Sequence, residues 1–462
     1  MDIVMRTLDR GEAWAALKRG EYEAITTSRH GALDELMYLA LELGVLEALK
    51  LLRVQRQRAG IPDELLLRTL AVLPFIELAG LSAASGELFQ DAAVLLQLGY
   101  SIRQVQEGFN RRHRGADRGA KAVPLHPEVL RQELERLDPE SLEAFRRACV
   151  GELFARGLVR GRLYALDASG LGKRFQVVGL LNARAEQPLW VTWRVLPGEA
   201  SEKGQGAVVV REMVEETALV GGERAIAWLL MDALYADGPL LAWLEHRRGI
   251  HALVREPEER LLYQDLEGLV QAGLLAWDEH RETRYVAGHK ELRRISVAGT
   301  GDLTSWDGYL EAAHAEGAET PVLWGTLVRT QPLDPPGEEH TWGLVSTHPF
   351  PSAWEAYTFW RARWRIENNG FRELKEGWAL ERAPWSWRHE RVVRGRVTFT
   401  LVAYNVAQVA KTRQGQRLRD RGIRRLRREL GTRYGVAPVV VFTADHFGLF
   451  HIEEIMTLLG RP

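Results

Sequence analysis

Residues 160–256 carry the pattern that most limits what this chain can fold into. Three apolar, strand-like runs come first: RLYALDASG, FQVVGLLNA and PLWVTWRVLP. An amphipathic helical stretch follows (GQGAVVVREMVEETALV), then an apolar strand (AIAWLLMDALYADG), a helix (PLLAWLEHRRG) and a last strand (IHALVRE). Three strands, helix, strand, helix, strand is the order of an α/β core built on one sheet, with the first three strands as antiparallel neighbours. The first run is read as a strand ending in Asp167 and a small-residue turn, and the fourth as one ending at Asp232. A carboxylate at the end of a buried strand leaves the core at the edge of the sheet, where it can meet a cation. Two carboxylates brought together repel unless they share a proton or a metal. A pair of Mg²⁺ ions held by such acids can clamp the attacking and leaving oxygens of a phosphodiester. Asp237, before Gly238, lies outside the apolar run and reads as the cap of the following helix.

The regions on either side differ in period. Residues 1–150 read as an all-helical N-terminal domain, with 3.6-residue periodicity in ALDELMYLALELGVLEALKLL and DELLLRTLAVLPFIELAGL and a helix start at Gly60–Glu64. Within it, residues 87–112 match a helix-turn-helix. One helix ends near Leu98, Gly99 and Tyr100 form the turn, Ser101 caps, and a second helix runs to about Arg112 with Arg103 and Arg111 on its exposed side. Residues 257–348 are strand-rich and read as an insertion into the core, which spans 160–256 and 349–411. Residues 412–462 read as a basic helical segment closed by a short strand, VAPVVVF.

Composition narrows the class. The 462 residues exceed one ordinary domain, and 46% hydrophobic with 27% charged residues is normal for a soluble protein. No apolar run reaches the roughly 18–20 residues that cross a bilayer. The single cysteine excludes an internal disulfide and a multi-cysteine zinc site, and suits a reduced, cytoplasmic setting. His446 and His451 lack cysteine partners and helical ligand spacing, so no zinc site is read there. No GxxxxGK[ST] stretch supports ATP use, and neither GxSxG nor a Cys-His nucleophile pattern occurs. A net charge of −1 does not advertise nucleic-acid binding, but Arg111–Lys121 and Lys411–Arg433 are locally basic.

A third acid joins the two aspartates. In FWRARWRIENNGFRELK, steps of three and four residues place Trp360, Arg363 and Glu367 on one helix face. This segment, with LDAS at Asp167 and MDALYAD at Asp232 followed by a strand ending in Arg255, resembles the DDE-type transposases of bacterial insertion sequences. The resembling group has the third-acid motif Tyr-x2-Arg-x3-Glu-x6-Lys; here it reads Trp360-x2-Arg363-x3-Glu367-x7-Lys375. The resemblance covers roughly residues 160–411. It implies an RNase H-like catalytic core and a triad of Asp167, Asp232 and Glu367 that binds two Mg²⁺ ions, for which Mn²⁺ substitutes. It also implies cleavage and strand transfer of inverted-repeat ends in double-stranded DNA, including target DNA. A homodimer in the synaptic complex and a nucleoid-associated place in the cytoplasm belong to the same expectation. Arg363 and Lys375 would then contact phosphates, and an insertion tryptophan, of which Trp306 reads as the most loop-like, would stack on an extruded base. A non-cutting DNA-binding protein on the same fold and an RNase H-like nuclease are the rival readings.

Two departures from the motif have physical content. Trp360 can stack where the group has tyrosine, but lacks the phenolic hydroxyl. Lys375 comes one residue late, which in a regular helix swings it about 80° away from the face of Glu367. A bulge near Gly370 would absorb that residue.

Overall fold

The computed structural model describes residues 6–28, 30–56, 60–76, 81–109, 124–172, 174–183, 188–286, 289–381, 389–413, 422–426 and 439–458. Contacts divide the chain into two compact units. One comprises Met1–Leu158, Leu171–Phe175 and Arg372–Pro462, the other Val159–Gly170 and Gln176–Phe371.

The first unit is not all-helical. Strands β1 (Thr7–Leu8) and β2 (Ala24–Thr27) enter a four-stranded sheet with β12 (Val439–Phe442) and β13 (His446–Phe450), in the order β1-β13-β12-β2. The expectation of a purely helical N-terminal domain is corrected here. The two N-terminal strands are too short to show a period of their own, and their partners lie more than 400 positions away, Thr27 opposite Val439 and Thr7 opposite His446. Its two central strands, β12 and β13, are largely buried on both faces, following strand alternation. Val439 and Val441 pack with Ala13 and Leu17 of the helix Arg10–Arg19; Val440 and Phe442 pack with Ala93 and Leu96.

The helix pair expected within 87–112 is present in part. Helix Ala92–Gln97 is followed by Gly99 at φ +100° and by helix Ile102–Glu107, whose cap is a full capping box between Ser101 and Gln104. The second helix is shorter than the sequence suggested, because Gly108 closes it at φ +68°. Ile102 and Val105 pack onto the small sheet, while Arg103 faces outward and pairs with Glu107 at 2.9 Å. The Gly60–Glu64 start also holds, with helix Asp63–Val72 following Pro62. The apolar helix Glu390–Arg413 belongs to this unit and is almost wholly buried against Pro127–Arg136, Gly31–Glu42 and Pro139–Ala155.

The second unit is built on a nine-stranded mixed sheet, the α/β architecture expected of the core. Its order is β5-β4-β3-β6-β7-β11-β10-β9-β8. The strands are β3 (Leu163–Leu171), β4 (Phe175–Asn182), β5 (Trp190–Pro197), β6 (Trp228–Met231), β7 (His251–Glu256), β8 (Asp278–Val286), β9 (His289–Leu303), β10 (Leu323–Asp334) and β11 (His340–Ser346). β6 runs parallel to both β3 and β7, and the runs LYAL and LLM are buried, as parallel strands covered on both faces must be. Helix Gly198–Gly221 makes the crossover from β5 to β6. β3 runs past Asp167 to Leu171, further than the small residues of ASG suggested.

The stretch 257–348 extends the core sheet rather than forming a sheet of its own. β11 lies antiparallel to β7, with Ser346 opposite Leu253, and β10, β9 and β8 continue outward as an antiparallel meander. Among the described residues, no helix is long and apolar enough to cross a membrane.

Candidate active site

Each acid reaches the site by a different device. Asp167 follows the buried run Leu163–Leu166 on β3, and its Oδ1 accepts the Ala168 amide at 2.8 Å. Asp232 follows Met231, the last residue of β6, which pairs with Leu166, so the two aspartates stand one step beyond the same register point of adjacent parallel strands. Asp237 caps the next helix, accepting the Leu240 amide at 2.8 Å, as its sequence context suggested.

Glu367 arrives from a segment that is not one regular helix. Helix Ala353–Trp360 passes into a 3₁₀ turn at Arg361–Arg363 and then into a π-helix at Ile366–Arg372. The wider turn supplies the bulge expected near Gly370. The packing shows why glycine stands there: a Cβ on Gly370 would come within 2.9 Å of the Trp190 ring, and one on Gly179 within 2.3 Å. Trp190 also meets Phe371, ring centroids 4.9 Å apart, and so seats the π-turn on β5.

The three acids converge on one guanidinium. Arg363 Nη1 donates to Asp167 Oδ2 at 2.8 Å, and Nη2 donates to Glu367 Oε1 at 2.5 Å, with Asp232 Oδ1 4.0 Å away. Side-chain exposure rises from 16% at Asp167 through 31% at Asp232 to 47% at Glu367, so the cluster opens to solvent on its Glu367 side. Burial pushes the Asp167 carboxyl up to about 6 against the pull of Arg363, and the charges of Asp232 and Glu367 push the same way as burial. A cationic group already sits among the carboxylates, and all the donors are hard oxygens. This donor set fits a divalent cation such as Mg²⁺.

Arg363 also opens onto a cavity of about 230 Å³ lined by Arg255, Arg284, Arg293, Arg363, Thr330, Trp342, Tyr357, Trp360 and Trp364. Strand register assembles it: Arg255 comes from β7, Trp342 from β11, Thr330 from β10, Arg293 from β9 and Arg284 from β8. Arg284 stacks on Trp364 at 4.2 Å, and Arg363 lies 5.2 Å from the Trp360 ring centroid. A phenol is present after all. Tyr357, one helical turn before Trp360, accepts a hydrogen bond from Arg284 at 2.6 Å.

Of the residues singled out in the sequence, Asp167, Asp232, Glu367, Arg363, Trp360 and Arg255 come together. Lys375 lies in the first unit, paired with Glu381 at 2.5 Å, and Arg103 lies in that unit too. Trp306 does not line the cavity; it stacks under Arg260 at 4.6 Å, and Arg260 in turn holds the Ala236 carbonyl in the turn after Asp232. Arg111 lies outside the described residues, as do the rest of the Arg111–Lys121 run and most of Lys411–Arg433. Arg284, Arg293, Tyr357 and Trp364 were not found from the sequence. Along β8 and β9, Arg281 and Arg284 stand three apart and Arg293 and Arg294 are adjacent, so no strand alternation marked them.

A mixed α/β sheet thus gathers three carboxylates beside an arginine-lined cavity. Residues 200–406 match the family model described as the transposase DDE domain, which indicates an enzyme of the polynucleotidyl transferase and endonuclease class. DDE transposase domains use divalent metals and act on DNA. The matched span includes Asp232 and Glu367, and Asp167 precedes it. No curated protein sequence matches the chain.

Proposed function

We propose that the chain is a transposase that cuts the ends of an insertion sequence and joins them to target DNA, with Asp167, Asp232 and Glu367 as its catalytic, metal-holding acids. The observation that carries the reading is the convergence of these three carboxylates, from β3, the end of β6 and a π-turn, on the single Arg363 guanidinium. Two bound Mg²⁺ ions, or Mn²⁺ in their place, would activate the attacking oxygen and offset charge developing at phosphorus during in-line displacement.

The residues of the chain divide the remaining work. Asp167, the most buried acid, is held by the Ala168 amide and Arg363 and sets the inner wall. Glu367, the most exposed, stands at the mouth. Arg363 belongs to both halves, holding acids on one side and facing the cavity on the other, and so suits a phosphate next to the cut. Arg255, Arg284 and Arg293 supply further phosphate contacts, with aromatic faces at Trp342, Trp360 and Trp364 for a base displaced from the stack. The spacing Trp360-Arg363-Glu367-Lys375, one residue longer than the motif, supports assignment to the group with the Tyr-Arg-Glu-Lys motif, with Tyr357 supplying the hydroxyl absent at 360. The helix Ile102–Glu107, with Arg103 outward, and the basic runs serve DNA binding, and two copies of the chain pair the element ends.

The test is incubation of the full chain with labelled DNA bearing the ends of its own element. End-specific cleavage in Mg²⁺ and none in Ca²⁺ is expected. Tight end binding without cleavage in Mg²⁺ or Mn²⁺ would replace this reading with that of a non-cutting DNA-binding protein.

A further inference from the structure

At the opposite end of β6 and β7 from the carboxylates lies a second cluster of ligating side chains. β7 and β11 are antiparallel with Ser346 opposite Leu253, and continuing that register sets His348 opposite His251. The two imidazoles stack with centroids 3.9 Å apart. Glu245 reaches them from the π-turn Trp243–Arg247, its Oε2 lying 2.9 Å from His251 Nδ1. One ligand atom from each of the three residues falls within 4.8 Å of the others. Thr347 fixes the carboxylate from outside, donating to Glu245 Oε2 at 2.6 Å while accepting the Ala252 amide at 2.9 Å. Trp228 covers one side, 4.9 Å from His251 and 5.6 Å from His348, and the side chains of Glu245 and His251 remain 15% and 27% exposed.

Its chemistry differs from that of the acid triad. Two imidazoles and one carboxylate are the ligands of three-residue zinc sites that keep a fourth position open. The 2.9 Å between Nδ1 and Oε2 is near the spacing of about 3.3 Å that two ligands take around a tetrahedral ion with bonds of about 2.0 Å. Burial and the neighbouring His251 lower the His348 pKa, which favours the neutral ligand form. Although burial acts to raise Glu245, hydrogen bonds from His251 and Thr347 outweigh it and keep the carboxylate below its ordinary value. Trp228 opens β6 and Asp232 follows its end, so roughly 13 Å of strand separates the cluster from the acids.

We propose that Glu245, His251 and His348 form a site for one zinc-like divalent transition metal, separate from the acid triad. The metal takes the place of the proton shared between His251 and Glu245, which leaves to solvent. It ties the turn before β7 to the strand on which 257–348 returns, and so steadies the approach to the helix Ala353–Trp360.

The test uses the full chain carrying Asp167→Ala and Glu367→Ala, so that the triad takes up no metal, stripped with a chelator and titrated with Zn²⁺ by calorimetry. One Zn²⁺ per chain is expected. Adding His348→Ala should weaken binding at least tenfold while leaving the metal-free circular dichroism unchanged. Co²⁺ should give visible ligand-field absorption that the same substitution removes. Should His348→Ala fail to fold, the near-isosteric Glu245→Gln carries the same expectation. No Zn²⁺ uptake by the parent, or uptake that neither substitution weakens, would overturn the proposal.

Discussion

The parallel strands of the large sheet and its antiparallel meander contribute opposite halves of one site. β3 and β6 are apolar and buried as far as Leu166 and Met231, and each delivers a single carboxylate at the next position, Asp167 within β3 and Asp232 just past β6. β8, β9, β10 and β11 are partly exposed along their length and bring Arg284, Arg293, Thr330 and Trp342 to the cavity. A buried parallel strand has little room for charge except at its tip, where water and cations reach it, whereas a one-sided antiparallel strand can carry a charged group at every second position. Arg363 joins the halves, bonded to the acids and facing the cavity. On this account the acids cut and the arginines hold.

The largest effect that would sharpen this division is expected from the arginines. Replacing Arg284 and Arg293 together with Ala should weaken end binding by roughly 10–100-fold and lower the salt dependence of binding by about one unit of slope per lost phosphate contact. Titration of labelled ends at several salt concentrations measures both. An unchanged slope would place the DNA elsewhere. A smaller effect tests how Glu367 is seated. Gly370→Ala drives a methyl group into Trp190 and should cost about 1–3 kcal/mol by overpacking. Cleavage should fall more than end binding, because the π-turn that carries Glu367 must shift; equal losses would break the link between seating and chemistry.

The smallest effect concerns the junction of the two halves. Glu256, the last residue of β7, is 1% exposed, and neither of its carboxylate oxygens has a hydrogen-bond partner. Burial pushes its pKa up to about 7 from an ordinary 4.5, with Arg260 pulling down and Glu259 pushing up. The folded state therefore holds this proton more tightly than the unfolded chain. Its contribution to stability is complete below about pH 4.5 and is lost as pH rises through about 7. At about 1.4 kcal/mol per pKa unit the ionised group costs roughly 3 kcal/mol, and Glu256→Gln, a neutral side chain still short of partners, should recover roughly 1–2 kcal/mol at pH 8 and little at pH 5. Thermal melts at the two pH values check this; equal gains at both would mean the carboxyl is not the source.

The acid half was legible in the sequence, but of the cavity's arginines only Arg255 and Arg363 were, for a physical reason. Asp167 and Asp232 punctuate apolar runs, and Glu367 sits in a local motif, so each is marked by its own neighbours. Arg284 and Arg293 owe their place to the register of β8 against β9, with Glu282 opposite Arg293, and of β9 against β10, a property of paired strands rather than of either one. His251 and His348 likewise meet only through the pairing of β7 with β11. Of the small sheet only β12, within VAPVVVF, was read; the sheet itself escaped for the same reason, since β1 is two residues long and finds its partner at the far end of the chain. The bulge near Gly370 was legible because a late lysine and a glycine after two asparagines are local facts.

The most direct test of the division between cutting and holding compares the parent chain with Asp167→Ala and Glu367→Gln, measuring Mg²⁺-dependent cleavage and binding affinity on the same labelled ends. The account requires cleavage by both variants to fall below detection while each binds the ends within a few-fold of the parent. Residual end-specific cleavage by either, or loss of binding in step with loss of cleavage, would contradict it.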